Sequence, residues 1–542
     1  MSQLLLTLGH NSSAILVSNQ EIVCGYEEER LSLIKSDSHF PKQAIAKCVE
    51  MANDPIDEVY VSHWFPYGEL PANPNKYWNP YELIKQVGSN ATVMSVNQEF
   101  THHDAHAWSA VAFCADSMPR NNTGIIVADG FGNFGECLSI YELTRHGEPK
   151  LKRRAFGYSD SLGLMYQYAT AYLGLKENQD EYKLLGYETR VHSMFHKLVP
   201  KLLDLATKHG EEHANRLLNG HWIGNPFDPM YAVDALPAVR VEYGKFFDKL
   251  LADIGMDVLA NEYERRAIIS YYVQARLERT MCDIVKAMGF ENLILAGGVF
   301  MNVKLNWVLS TVLNKISIMP LAGDQGAAIG LYQAIRKDLK WPNHLFWGHR
   351  ILEFQSTPEN FYVLEENDAK EFIIECIKKN QIVNLVKGSM EFGARALCHT
   401  STLARSTNEN VKYINMVNGR DTVMPMAPVV LEEDLENTFF NSQKIVKSLD
   451  YMICALEYKD TRYSAGASHY YPDLDCFTGR PQVAREQFII DILREVPGRL
   501  LINTSMNEHG MPICYGVGDV VRCHVSQRQL DINNRIKTVV VR

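Results

Sequence analysis

The densest chemistry in this 542-residue chain lies in five consecutive residues, His102-His103-Asp104-Ala105-His106. His102 and His106 are four apart, so on a helix both rings project from one face about one turn apart. Neutral imidazoles placed that way can grip one transition ion from two points. Asp129 closes the apolar run Gly124-Ile125-Ile126-Val127-Ala128 and opens Gly130-Phe131-Gly132, and Asp324 sits in Leu321-Ala322-Gly323-Asp324-Gln325-Gly326 after another apolar run. Carboxylates at the carboxyl ends of strands, beside glycines, are where open α/β sheets put ligand chemistry. Two imidazoles and two carboxylates would leave positions on the ion open for a substrate oxygen. On spacing alone, a helix-capping histidine with solvated neighbours is the commoner explanation.

Glycine turns form the second constellation: Gly130, Gly132 and Gly135, then Gly297-Gly298, then Gly323 and Gly326, each following an apolar run. Glycine lets backbone approach a phosphate, and a helix N-terminus beyond it offers free N–H groups. None of these turns matches the standard P-loop or dinucleotide fingerprint, and a glycine at a strand end is usually only a turn. Lys183, in Glu181-Tyr182-Lys183-Leu184-Leu185-Gly186, is a candidate phosphate contact or a solvated lysine. His10, between two apolar runs, is a candidate general base or a hydrogen-bonded structural histidine. Glu27-Glu28-Glu29-Arg30 reads as an exposed acidic run at a helix start. Further on, Arg395, Arg420, Arg480, Gln482, Asn503 and Ser505 supply the guanidinium and small polar groups that suit an oxyanion such as phosphate. Taken singly, each arginine is more often an ion-pair partner.

The elements that must position these residues alternate helix and strand. Residues 3–8, 14–18 and 21–26 read as strands with hairpin chemistry at Ser18-Asn19-Gln20, and a similar pattern recurs from Gly124 to Tyr141, suggesting two related lobes. A helical stripe from Ile268 to Met288 ends at Gly289 and feeds the buried strand Asn292–Ala296, an α/β order. Regular patterning lapses between Trp341 and Pro358, so a linker is expected at 346–360, between units 1–345 and 361–542. Hydrophobic residues at 46% and charged ones at 22% exclude a mostly disordered chain. A net charge of −10 argues against a broad nucleic-acid surface. No stretch is apolar enough to span a membrane, and the start has no basic n-region of a signal peptide. Eleven scattered cysteines without a CxxC pair read as packed thiols of a cytoplasmic protein.

Taken in order, the motifs resemble the O-carbamoyltransferase family of nodulation-factor and antibiotic-tailoring enzymes. The resemblance runs through His10-Asn11-Ser12, Glu28-Glu29-Arg30, His102 to His106, Asp129-Gly130 and Glu181 to Gly186. It continues through Ala296-Gly297-Gly298-Val299 with Asn302 and Asn306, Gly323-Asp324-Gln325-Gly326, Met390 to Leu397, Met424 to Pro428 and Asn503 to Asn507. Ten ordered partial matches are far more specific than any one of them.

The resemblance implies an α/β protein with a duplicated actin-like/HSP70-like (ASKHA), TsaD-like N-terminal domain and a YrdC-like C-terminal domain. It implies that carbamoyl phosphate and ATP (with Mg2+) give carbamoyl-adenylate in the C-terminal domain. The carbamoyl group then passes to an acceptor hydroxyl in the N-terminal domain. By the same resemblance His102, His106, Asp129 and Asp324 become ligands of a divalent metal, Fe2+ foremost. Gly130, Lys183, Gly297, Gly298, Asn302 and Gly323 line the nucleotide, and His10, with Lys183, takes a catalytic role. Arg395, Arg420, Arg480, Gln482, Asn503 and Ser505 bind carbamoyl phosphate. The chain departs from the family pattern where Thr400, Asn418 and Met424 replace basic residues; Lys387, Lys412 or His399 would have to compensate. The acceptor, whether sugar, natural product or hydroxymethylated nucleobase or nucleotide, is not selected by any motif. The segment 215–241 reads as an inter-lobe loop, with an acceptor-side lid as the alternative. Competing readings are a tRNA threonylcarbamoyl transferase and a non-catalytic or kinase-like ATP-binding member of the actin superfamily. Oligomeric state is unreadable, a homodimer included.

Overall fold

The computed structural model describes residues 2–65, 74–219, 235–256, 261–351, 354, 357–420, 425–461 and 464–542. Met424 lies outside the described residues, as does most of the segment 215–241. Five strands, β1 (Ser2–Thr7), β2 (Ser13–Ser18), β3 (Glu21–Glu27), β4 (Ile56–Ser62) and β5 (Thr92–Ser95), form a sheet of order β3-β2-β1-β4-β5. Asn19 and Gln20, at φ 53° and 70°, make the tight β2–β3 turn that its polar residues predicted. A second sheet, of β6 (Thr123–Ala128), β7 (Glu136–Leu143), β8 (Pro149–Phe156), β9 (Asn292–Ala296) and β10 (Lys315–Ile318), has the order β10-β9-β6-β7-β8. In both, the first three strands run antiparallel as a meander and the last two add in parallel beside the first. β1 and β6 are buried at every position, which is why they read as unbroken apolar runs and not as alternating ones.

After β5 comes the helix His102–Cys114, and after β10 the helix Ala327–Arg336. They cross closely because Gly330 has no side chain: a Cβ there would lie 1.7 Å from the Ala105 carbonyl oxygen. The helix Glu262–Met288 ends as read, with Gly289 at φ 70°.

The remainder holds β11 (Phe361–Leu364), β12 (Ile382–Lys387), β13 (Thr400–Arg405) and β14 (Ala427–Val430). A small sheet follows, from β15 (Leu456–Glu457), β16 (His469–Tyr471) and β17 (Cys476–Gly479), and then β18 (Gln482–Val483), β19 (Leu500–Ser505) and β20 (Ile536–Val541). Seven of these form a mixed sheet of order β11-β20-β12-β13-β19-β14-β18. The whole is α/β. One apolar cluster runs from Leu5 and Ile15 through Ala105 and Ile294 to Trp347, Phe392 and Leu397, so the C-terminal part shares a core with the first two sheets. Among the described residues no helix is long and apolar enough to cross a membrane.

Candidate active site

The helix His102–Cys114 starts with a capping box, Thr101 and Asp104 each accepting from the other's backbone N–H. Asp104 Oδ1 also accepts from Tyr141 Oη at 2.8 Å and Arg154 Nη2 at 2.6 Å, and Arg154 pairs with buried Glu136 at 3.1 Å. These bonds tie the helix start to β7 and β8. Asn133, buried beyond Gly132, accepts from the His102 N–H at 2.7 Å and donates to the His63 and Phe65 carbonyls. His103 faces Ser139, with Nδ1 2.9 Å from Oγ, and burial pushes it well below the usual histidine range. It is a neutral structural side chain.

His102 and His106 thus present their Nε2 atoms 3.1 Å apart, rings nearly perpendicular, in the interior. Asp129 Oδ2 stands 3.5 Å and 3.4 Å from the two nitrogens, and Asp324 Oδ1 3.4 Å and 3.6 Å. One donor atom from each of the four residues falls within 4.8 Å of every other. Burial disfavours charge on His102, yet Asp324 and Asp129 carry it up to about 10. Burial alone would raise Asp129, but the two imidazoles hold it well below the carboxylate range. This pocket therefore attracts positive charge. The fit to a metal is good: separations of 3.1–3.6 Å are those of neighbouring ligands sharing one ion at about 2.0–2.2 Å. Asp129 Oδ2 is buried without a hydrogen-bond partner. Two imidazoles with two carboxylates suit a first-row transition ion.

The other expected residues divide into those that are free and those already engaged. His10 sits in the β1–β2 turn with Nε2 buried and unpartnered. Trp64 presses on that turn, since a Cβ on Gly9 would meet its Nε1 at 2.2 Å, and stands edge-on to Phe131 at 5.0 Å. An aromatic wall so links His10 to the strand end bearing Asp129. Gly298 lies against Asp129, a Cβ there falling 2.8 Å from Oδ1, so this glycine turn borders the cluster. The Gly130 N–H is taken up by Asp129 Oδ1 at 2.7 Å. Asn302 caps the helix Val303–Val312 and pairs amide to amide with Gln274 at 2.8 Å. Lys183 is buried and pairs with Asp180 at 3.0 Å. It faces the C-terminal part: burial and the Lys183 charge both push His509 below its ordinary value.

Among the C-terminal candidates, Arg395 and Arg480 are half-buried neighbours, each with Nε buried and no ion-pair partner among the described residues. Burial disfavours the charge on both, and on Arg395 the nearby Arg480 adds to it. Two adjacent unpaired guanidinium groups have the donor chemistry to take an oxyanion. Arg420 is spent differently, donating to Thr504 Oγ1 at 2.7 Å, the Ser505 carbonyl at 2.8 Å and Asn507. Asn503 Nδ2 donates to Gln482 Oε1 at 2.7 Å and the Ala396 carbonyl at 2.9 Å, while its Oδ1 is buried without a partner. Ser505 Oγ donates to Asn507 Oδ1 at 2.6 Å. Of the residues considered as replacements for lost cations, Lys387 and His399 both pair with Glu486, at 3.0 Å and 2.9 Å, and Lys412 is exposed. Thr400, which opens β13, and Asn418, at the C-terminal end of the helix Asn408–Val417, are both buried, the former donating its N–H to Glu391 and the latter accepting from Gln527 Nε2.

Two features escaped the sequence reading. Asn133, four residues after Asp129, was not singled out. The run Glu27 to Arg30 is not exposed: Glu27, Glu28 and Arg30 are buried, and Glu28 accepts from the Gln43 and Ala44 N–H groups at the start of the helix Lys42–Met51.

Residues 84–332 match the family described as carbamoyltransferase N-terminus, and residues 374–540 the one described as carbamoyltransferase C-terminus. The nodulation protein NolNO of Sinorhizobium fredii is 25% identical, covering 95% of this chain and 76% of that protein. The 3'-hydroxymethylcephem-O-carbamoyltransferase of Amycolatopsis lactamdurans is 23% identical, over 51% of this chain and 54% of its own. Among solved structures, full-length HypF in its phosphate- and nucleotide-bound form is similar at 12% identity and a TM-score of 0.29, covering 63% of this chain and 56% of that one.

Proposed function

The chain belongs to the carbamoyltransferase family and is a transferase; from that premise we propose an ATP-dependent O-carbamoyltransferase working at two separated sites. Carbamoyl phosphate, ATP and water give phosphate, pyrophosphate and carbamoyl-adenylate in a YrdC-like C-terminal unit, 361–542. The acceptor hydroxyl then displaces AMP in an actin-like N-terminal unit, 1–345, and becomes an O-carbamate. Arg395 and Arg480 hold the phosphate of the donor, with Arg420 bracing the β19 end beside them. Lys183 and the glycine turns at Gly297 and Gly323 receive the adenylate. When bound, a divalent ion, iron(II) foremost by the family resemblance, held by His102, His106, Asp129 and Asp324 would supply Lewis acidity toward a carbonyl oxygen and offset charge developing there. His10 Nε2, lacking a protein partner, takes the proton of the acceptor hydroxyl. The place of action is the cytoplasm.

The observation that supports this reading above others is the meeting of four side chains from three distant stretches within 4.8 Å. Incubation with carbamoyl phosphate and ATP should release AMP and pyrophosphate; ADP as the sole nucleotide product would overturn it. A mass-spectrometric screen of sugars, natural-product alcohols and hydroxymethylated nucleosides for the gain of one carbamoyl group identifies the acceptor.

A further inference from the structure

The run Glu27 to Arg30 reaches across the molecule to a glycine two residues before Arg395. Arg30 Nε donates to Glu27 Oε2 at 2.9 Å, and Arg30 Nη2 donates to the Gly393 carbonyl at 2.5 Å. The Gly393 N–H in turn donates to Glu27 Oε2 at 3.0 Å. Both backbone polar groups of one glycine are thereby held by a single ion pair 363 residues away, with Glu27 4% and Arg30 3% exposed. Gly393 has φ +102°, and a Cβ on it would lie 2.7 Å from Leu321 Cδ2. Leu321 begins the turn that carries Asp324. The neighbouring contacts fix the same junction: the Gly25 N–H donates to the Trp347 carbonyl at 3.0 Å, the Phe392 N–H to the Leu345 carbonyl at 2.7 Å, and Phe392 stacks on Trp347.

We propose that Arg30, paired with Glu27, is a positioning residue for the donor site: it clamps Gly393 so that Arg395 stands beside Arg480. The inference rests on the proposed use of these arginines to hold carbamoyl phosphate. It makes the C-terminal anion site depend on the first sheet. Two bonds converge on one backbone position, and each has a charged partner in a buried setting, where charge-assisted bonds are strongest. An ion pair serving only packing would not select both the N–H and the C=O of a left-handed glycine. Two like-charged guanidinium groups repel, so their backbones must be braced to hold them side by side, and Gly393 is where the bracing reaches the Arg395 loop.

The test uses the full-length protein with carbamoyl phosphate-dependent exchange of labelled pyrophosphate into ATP, beside hydrogen exchange over 389–400. Arg30→Lys keeps the charge but cannot make both bonds. It should raise the KM for carbamoyl phosphate about tenfold or more, the scale of one lost charge-assisted hydrogen bond, with the KM for ATP unchanged. Protection of the Gly393 amide should fall while that of β12 and β20 stays. Gly393→Ala, strained at this φ and against Leu321, should move the same KM the same way. An unchanged KM for carbamoyl phosphate, or equal losses in both KM values with a general loss of protection, would overturn the clamp. Should the unsubstituted protein show no such exchange, the activation reading fails on its own. The clamp is then judged by the hydrogen exchange of Arg30→Lys, and retained protection at Gly393 overturns it.

Discussion

The histidine–aspartate cluster and the arginine cluster are built on opposite plans. In the first, four side chains point their free atoms at one another, and the hydrogen bonds that hold them are made by neighbours: Asp104, Asn133, Glu136 and Arg154. In the second, most of the polar side chains are already bonded to the protein. Gln482, Asn503, Ser505 and Arg420 brace the loops, while Arg395 Nε, Arg480 Nε and Asn503 Oδ1 are buried without partners. A buried polar atom left without a partner is costly, so where such atoms gather a ligand is expected to complete them. The lesson is that the residue types of a motif do not tell which members touch the ligand and which hold those that do.

The contrast can be broken most directly at the cluster of four. Replacing His106 with Ala, or Asp324 with Asn, should remove tightly bound metal by elemental analysis and cost about 10³-fold in turnover, the scale of losing an oxyanion-type stabiliser. Full activity without metal would dissolve the distinction. A smaller effect is expected at the arginine pair. Arg480→Ala should raise the KM for carbamoyl phosphate roughly 10- to 100-fold with metal content unchanged, as one charge-assisted contact is worth about 1.5–3 kcal/mol. Gln482→Ala should act instead through loop order, changing stability as well as KM.

The smallest effect concerns Lys387 and His399, which do not join that pair. Burial disfavours charge on Glu486, but His399 and Lys387 hold it at about 2. A carboxyl held below its unfolded value of about 4.3 contributes stability above that pH and loses it as pH falls toward 2. Glu486→Gln should therefore lower the unfolding free energy from urea titration at pH 7 by about 1 kcal/mol for a partly exposed pair, and the difference should vanish near pH 2. A constant difference across that range would mean that Lys387 and His399 are held by something else.

Much of this was legible in the chain. The apolar runs ending in Asp129 and before Asp324, the helical spacing of His102 and His106, and the hairpin at Asn19-Gln20 are local signals, and each appears where the pattern puts it. The meeting of these four side chains was legible only through the ordered resemblance, because nothing local says which turns of distant strands converge. The clamp on Gly393 and the pairing of Gln482 with Asn503 were not legible at all. Glu27 and Arg30 read as solvated because charge in a run usually is, and only a partner 363 residues away makes them buried. Gln482 and Asn503 are chemically apt for phosphate, and nothing in their types reveals that each satisfies the other.

The common strand order of the two N-terminal sheets has a consequence for where the donor atoms stand. β1 in one sheet corresponds to β6 in the other, so His10 and Asp129 occupy matching strand ends. The helices His102–Cys114 and Ala327–Arg336 follow the last strands of their sheets and are matched too, meeting where Ala105 touches Gly330. Imidazoles from one sheet's half therefore answer carboxylates from the other at matching stations. Nitrogen donors on one side and oxygen donors on the other are what let two sheets of the same plan frame a chemically asymmetric centre.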